Sequence, residues 1–306
     1  MSAYQKRIRA FRYSIVYWFV RFLIAVSNSV PRLAWLRFCG FLGWLGYHVA
    51  SKTRALMHKH ILMAFPDYTT QQIKALAKKN FIMLGKNAGE ILRATRIKGL
   101  EDLEKFLVVH DYKHYENAKA QGKGVIFLTC HIGAFDLQIT YMSLKGLRPL
   151  IIGTPLKDER LNDLLWKQRN AHGAIAVERG KEMFRLLKEL KSGGSLAILI
   201  DQDTKVKSRF VNFFGMPAAT PVGAAIFAVK TGAVVVPTYI HLGADGKQHM
   251  TFLPAIETTV TGDEEIDLVE NTQRYSNFIE EKVRQHPEQW VWMHERWKTQ
   301  PGQEVR

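Results

Sequence analysis

Acidic residues are missing from the start of this chain; the first is Asp67. Cysteine is scarce as well, with only Cys39 and Cys130 among 306 residues. Two thiols so far apart offer no disulfide framework and no metal-ligand spacing, which fits a cytosolic setting. No short apolar core followed by a small-residue cleavage site opens the chain, which argues against a cleaved signal peptide. Internal repeats and low-complexity runs are absent, and no linker is evident after residue 60, so a repeat architecture is excluded.

What is present is apolar and basic. Hydrophobic residues make up 47% of the chain, enough for a large core and one or two domains. Lys and Arg number 43 against 28 Asp and Glu, a net charge of +15. Ten of those positive charges fall in the first sixty residues, from Lys6 to Lys59, with no negative charge among them. The same segment carries Phe11, Trp18, Phe22, Trp35, Phe41 and Trp44. Basic plus aromatic sequence suits nucleic acid or an anionic membrane. Residues 13–26 contain only Ser14 and Arg21 as clearly polar interruptions, and that apolar density favours the membrane over nucleic acid.

Residues 13–30 are about long enough to cross a bilayer, which takes roughly 20 apolar residues. Arg21 near the middle costs roughly 2.5–3.5 kcal/mol on insertion. A second apolar stretch, 33–50, holds Arg37 and glycines at Gly40, Gly43 and Gly46. The segment reads as one tilted span or two helices lying in the interface. Two buried helices of a soluble core are the alternative. Residues 1–60 are thus expected to form a membrane anchor and 61–306 a separate catalytic domain.

Beyond residue 60 strands and helices alternate. Thr70 is expected to cap a helix over 69–95, with Ile73, Leu76, Ala77, Phe81, Leu84 and Ala88 at helical spacing. Short strands are expected at 97–100 and 107–109, a helix at 112–121 and a buried strand at 125–128. Further strands fall at 149–153, 174–177, 195–200, 234–240 and 250–253. Helices fall between them at 161–172 and 181–191, and one runs from 266 to 285. Thr220 and Pro221 suit the N-cap and first residue of another helix, which stops at Gly232. Such alternation predicts an α/β fold, a mostly parallel central sheet flanked by helices.

Functional groups in such sheets gather where strands end. The run Thr129-Cys130-His131-Ile132-Gly133-Ala134-Phe135-Asp136 closes one strand with a histidine five residues before an aspartate. An imidazole can take a proton from an alcohol near neutral pH, and a carboxylate can orient it. Asp201-Gln202-Asp203 closes another strand, and Arg169 lies in the helix between them. Each has a plainer reading: a core or capping histidine, a first-turn acid favoured by the helix dipole, a solvated arginine, a turn-capping Asp203. Cys130 is a nucleophile by type, but strand neighbours point to opposite faces. Trp290, Trp292 and Trp297 read as packing residues. His110, His114, His172 and His241 have no ligand spacing.

The His131–Asp136 run resembles the His-x4-Asp/Glu box of the lysophosphatidic-acid-type acyltransferase superfamily. More narrowly, the chain resembles the bacterial lipid A biosynthesis (lauroyl/myristoyl) acyltransferases. Further matching stretches are Asn162, Arg169 and Gly173; residues 200–203; Phe213-Phe214-Gly215 leading to Thr220-Pro221; residues 224–237; and the tryptophan-rich run 286–298. That resemblance implies a glycerol-phosphate-acyltransferase-like fold on the cytoplasmic face of the inner membrane. It implies His131 as general base on an acceptor hydroxyl, oriented by Asp136. Arg169 and Asp201 match positions implicated in catalysis or acceptor binding. The implied donor is acyl-acyl carrier protein, an acidic partner, and the implied acceptor a lipid A precursor, with neither metal nor cofactor. A lysophospholipid or another glycolipid is the alternative acceptor. A non-catalytic membrane or nucleic-acid binder is the alternative class.

Overall fold

The computed structural model describes residues 3–178 and 182–303. Nine strands and eleven α-helices are present among them. Seven strands form one sheet in the order β1-β9-β8-β2-β5-β3-β4. These are β1 (Leu107–His110), β2 (Val125–Thr129), β3 (Leu150–Gly153), β4 (Ile175–Glu178), β5 (Ser195–Leu199), β8 (Val234–Leu242) and β9 (Gln248–Phe252). β8, β2, β5, β3 and β4 run parallel; β9 runs antiparallel to β8, and β1 parallel to β9.

All five residues of β2 are buried, as a parallel strand covered on both faces requires. Their alternation divides the core. Ile126 and Leu128 join the larger cluster, under Trp290, Trp292 and Tyr275. Val125 and Phe127 face the other layer, with Leu137, Tyr141 and Phe252.

The helices give the sheet its cover. They include α4 (Thr70–Arg93), α7 (Asp136–Leu144), α8 (Glu159–Arg169), α10 (Gly223–Thr231) and α11 (Glu264–Gln285). The cap of α4 is Thr69 rather than Thr70: its hydroxyl accepts from the Gln72 N–H while the Gln72 side chain accepts from the Thr69 N–H.

Two other expectations are corrected. Residues 97–100 form no strand. A 3₁₀ turn at Ala94–Arg96 precedes helix α5 (Leu100–Glu104), and Asp102 reaches back to accept from the Lys98 N–H at 3.0 Å. Thr220 and Pro221 do not open a helix. They end β7 (Met216–Pro221), which pairs antiparallel with β6 (Ser208–Phe213). Phe214 and Gly215, both at positive φ, make the two-residue turn between these strands. The capping chemistry of Thr-Pro was overridden by pairing across the hairpin, and α10 starts two residues later. The hairpin leans on α11, where Gln273 accepts from the Asn212 N–H and donates to its carbonyl. Helix α9 is Met183–Lys191; Lys181, expected at its start, lies outside the described residues.

The N-terminal segment behaves as two unlike helices. α1 (Ala3–Ser29) is long and apolar enough to cross a membrane, and almost none of that stretch is buried in the protein. Phe11, Trp18 and Phe22 are exposed, while Ser14 and Tyr17 touch Arg160 of α8. α2 (Arg32–Val49) instead packs closely on α4. A Cβ on Gly43 would lie 2.2 Å from the Phe81 carbonyl oxygen, and one on Gly85 would lie 2.3 Å from that of Cys39. The glycine steps therefore serve helix–helix contact. Position 60 falls within α3 (Ser51–Ala64), whose Met57, His60 and Ile61 are buried.

Candidate active site

Strand register brings the key pair together. Thr129 at the end of β2 pairs with Leu199 at the end of β5. Two residues further along each strand stand His131 and Asp201. The His131 Nδ1 lies 2.7 Å from Asp201 Oδ1, and the His131 backbone N–H donates to Oδ2 at 2.8 Å. Trp290 donates its indole N–H to the same Oδ2 at 2.9 Å. Trp290 reaches there because the chain at Ile132 bridges to it in antiparallel fashion.

The Asp201 side chain is fully buried, whereas that of His131 is 21% exposed. Burial disfavours the Asp201 charge, but the His131 ring and the hydrogen bonds from His131 and Trp290 outweigh it and hold the carboxyl at about 2. A fixed carboxylate on Nδ1 dictates that Nδ1 carries the proton and leaves Nε2 as the basic nitrogen. Nε2 has no hydrogen-bond partner among the described residues. Phe135 stands edge-on to the ring, centroids 4.8 Å apart, and limits its rotation.

Asp136 is not the imidazole's partner. As the first residue of α7 it forms a two-point pair with Arg169 at the end of α8, with Nε to Oδ1 at 2.9 Å and Nη2 to Oδ2 at 3.2 Å. Asp201 therefore takes the place expected of Asp136 beside the histidine, and Asp136 instead holds the arginine. His131, Asp136 and Arg169 line one cavity of about 320 Å³, with Asp201 buried behind the imidazole; the remaining wall is largely apolar, with Phe135, Ile139, Ile151, Ile152, Leu165 and Leu199.

Further residues complete the surroundings. Thr154 lines the same cavity. Asp203, expected to cap a turn, instead ties down the C-terminal segment, accepting from the Thr299 N–H at 2.7 Å and its hydroxyl at 3.1 Å. Cys130 points into the core, fully buried, and burial pushes its thiol far above the ordinary range, which removes it as a nucleophile. Among the described residues no cluster of His, Cys, Asp or Glu is arranged to hold a metal ion.

Two contributors escaped the sequence reading. Trp290 was read as packing, yet it is a donor to the buried carboxylate. Arg296 is 1% exposed and donates to the Ala219 carbonyl, while its charge is attracted to Asp201 and Asp203. Their common signal was the crowding of polar-tipped aromatic and basic residues in 286–298.

Comparison with known proteins identifies the family. The chain is 29% identical over 285 residues to a lipid A biosynthesis acyltransferase of Haemophilus influenzae, covering 90% of this chain and 85% of the relative. It is 26% identical to the lipid A biosynthesis lauroyltransferase of Escherichia coli, covering 86% and 84%. It is 25% identical to a phosphatidylinositol mannoside acyltransferase of Mycobacterium tuberculosis, covering 62% and 60%. The family model described as bacterial lipid A biosynthesis acyltransferase matches residues 1–299, and the chain belongs to that family of acyltransferases.

Proposed function

We propose that the protein moves a fatty acyl chain from acyl-acyl carrier protein to a hydroxyl of a lipid A precursor, at the cytoplasmic face of the inner membrane. The His131–Asp201 pair at the mouth of an apolar-walled cavity carries the reading. Nε2 of His131 takes the proton of the acceptor hydroxyl, and that oxygen attacks the thioester carbonyl. Asp201 stabilises the imidazolium that forms. The tetrahedral intermediate collapses to the ester and expels the thiolate, which takes the proton back from Nε2. Arg169, neutralised on one edge by Asp136, keeps Nη1 without a partner beside Gly153 for contact with substrate. A cavity lined with isoleucine and leucine suits an acyl chain.

Membrane association rests on α1, whose exposed apolar face and basic residues complement an anionic surface. Donor and acceptor are tested together. Purified protein is incubated with lauroyl- or myristoyl-acyl carrier protein and a phosphorylated glucosamine lipid lacking its secondary chains, and the product is weighed by mass spectrometry. A gain of one acyl group is expected, and an unchanged mass with every donor would refute the reading. The mannoside acyltransferase relative favours one second acceptor, another glycolipid. Acylation of that lipid alone would replace the acceptor and keep the chemistry.

A further inference from the structure

A large cavity lies outside the catalytic pair. It has a volume of about 870 Å³ and sits at the foot of α1, between the C-terminal end of α4, the start of β1 and the turn from β8 to β9. Its lining holds six cationic side chains, Arg32, Arg93, Arg96, Lys98, Lys105 and Lys247, against three carboxylates. The carboxylates are already engaged. Glu90 takes both Nε and Nη2 of Arg32, Asp102 pairs with Lys105, and Asp245 pairs with His249.

Arg93 and Arg96 donate only to neutral carbonyls at the end of α1, those of Ser27, Val30 and Asn28. Burial, and then the charge of Arg96, push the Arg93 guanidinium below the ordinary arginine range. The ammonium groups of Lys98 and Lys247 have no hydrogen-bond or ion-pair partner among the described residues. Six cations against three carboxylates, each already paired, leave the cavity with a net positive charge, although Glu90 and Asp245 act through space on Arg93 and Lys247.

Its position is equally informative. The turn at 243–247 follows the C-terminal end of β8, and β8 runs parallel to β2, which delivers His131. Cavity and catalytic pair thus open at the same edge of the sheet. With strands about 4.8 Å apart, they are separated by on the order of 10–15 Å. A sugar headgroup can span that gap with one hydroxyl at His131.

We propose that this cavity is a second subsite that binds a phosphate monoester on the acceptor's sugar headgroup and so sets which hydroxyl meets His131. Concavity favours a small anionic group over a protein surface, and clustered Arg and Lys match phosphate oxygens. The proposal rests on the acyl-transfer reading, so its test measures binding without turnover. The His131→Ala protein is titrated with an unacylated phosphorylated glucosamine disaccharide, the same sugar without phosphate, inorganic phosphate, and phosphatidylglycerol vesicles.

Lys98→Ala with Lys247→Ala is expected to weaken the phosphorylated sugar about ten-fold and to leave the dephosphorylated sugar unmoved. Neither ammonium group makes a hydrogen bond or ion pair among the described residues, Lys247 acting on Asp245 only through space, and an unchanged melting temperature checks the fold. Equal weakening of both sugars, or no weakening, overturns the proposal. So does free phosphate binding as tightly as the sugar, or a loss confined to vesicles. A protein that holds the phosphorylated sugar here but transfers no acyl group would keep the subsite and refute the reaction.

Discussion

Replacing His131 by Ala is expected to lower kcat for acyl transfer by roughly 10²–10⁴-fold, the usual worth of a general base. Asp201→Asn is expected to lower it by a similar order, because the amide can no longer fix Nδ1–H or stabilise the imidazolium. Asp136→Asn is the decisive comparison. That carboxylate pairs with Arg169, not with His131, so its loss is expected to raise the KM of the acceptor more than it lowers kcat. Steady-state kinetics of the three variants separate the roles. A deeper fall in kcat for Asp136→Asn than for Asp201→Asn would return the imidazole to Asp136.

The same Asp201 variant has a signature in stability. The folded-state carboxyl lies at about 2, below its ordinary 3.8. A depressed pKa contributes stability that is full above pH 3.8 and is lost as pH falls towards 2. The contribution is about 2 kcal/mol. Urea unfolding of the wild type between pH 5 and pH 2 should contain this component, and Asp201→Asn should lack it.

Gly133→Ala is expected to cost about 3 kcal/mol of stability and on the order of 10²-fold in kcat. Two effects coincide there. Gly133 has φ +64, a conformation that costs an L-residue roughly 1–2 kcal/mol. An added Cβ would also lie 2.3 Å from the carbonyl oxygen of Ile240 on β8. Backbone cannot swing aside as a side-chain tip can, so the loop bearing His131 must shift. Gly122→Ala isolates the first effect: its φ is +69, but nothing lies within 4 Å of the new Cβ. Gly122→Ala is expected to lose only the conformational part, with kcat unchanged. Equal losses in urea denaturation would show that the close approach at Ile240 contributes nothing.

Much of the fold was legible because its signals are local. Runs such as Val125–Thr129 and Ser195–Leu199 are apolar on both faces and bounded by glycine, as buried parallel strands must be. Helix ends at Gly122, Gly173 and Gly232 were readable because positive φ there suits glycine. The β6–β7 hairpin was missed because its turn, Phe214-Gly215, places one ordinary residue at positive φ, and because Thr-Pro resembles a helix start. The close packing of α2 on α4 was missed for a different reason. Glycine at every third position suits a membrane helix and a buried helix equally, and only the partner helix distinguishes them.

The sequence by itself determined the alternating α/β plan, the basic apolar start, and the four residues His131, Asp136, Arg169 and Asp201 that line or close the site. It could not assign their partners. His131 and Asp136 are close in sequence, and proximity along the chain suggested that they touch. Tertiary structure decided otherwise. β2 and β5 are separated by two other strands in sequence but adjacent in the sheet, and their register sets His131 against Asp201. Asp136, one turn on and at the head of a helix, faces the end of α8 and Arg169 instead. Local propensity is written in neighbouring residues. The pairing of charges is written in strand order, which depends on long-range packing that no short stretch of sequence contains.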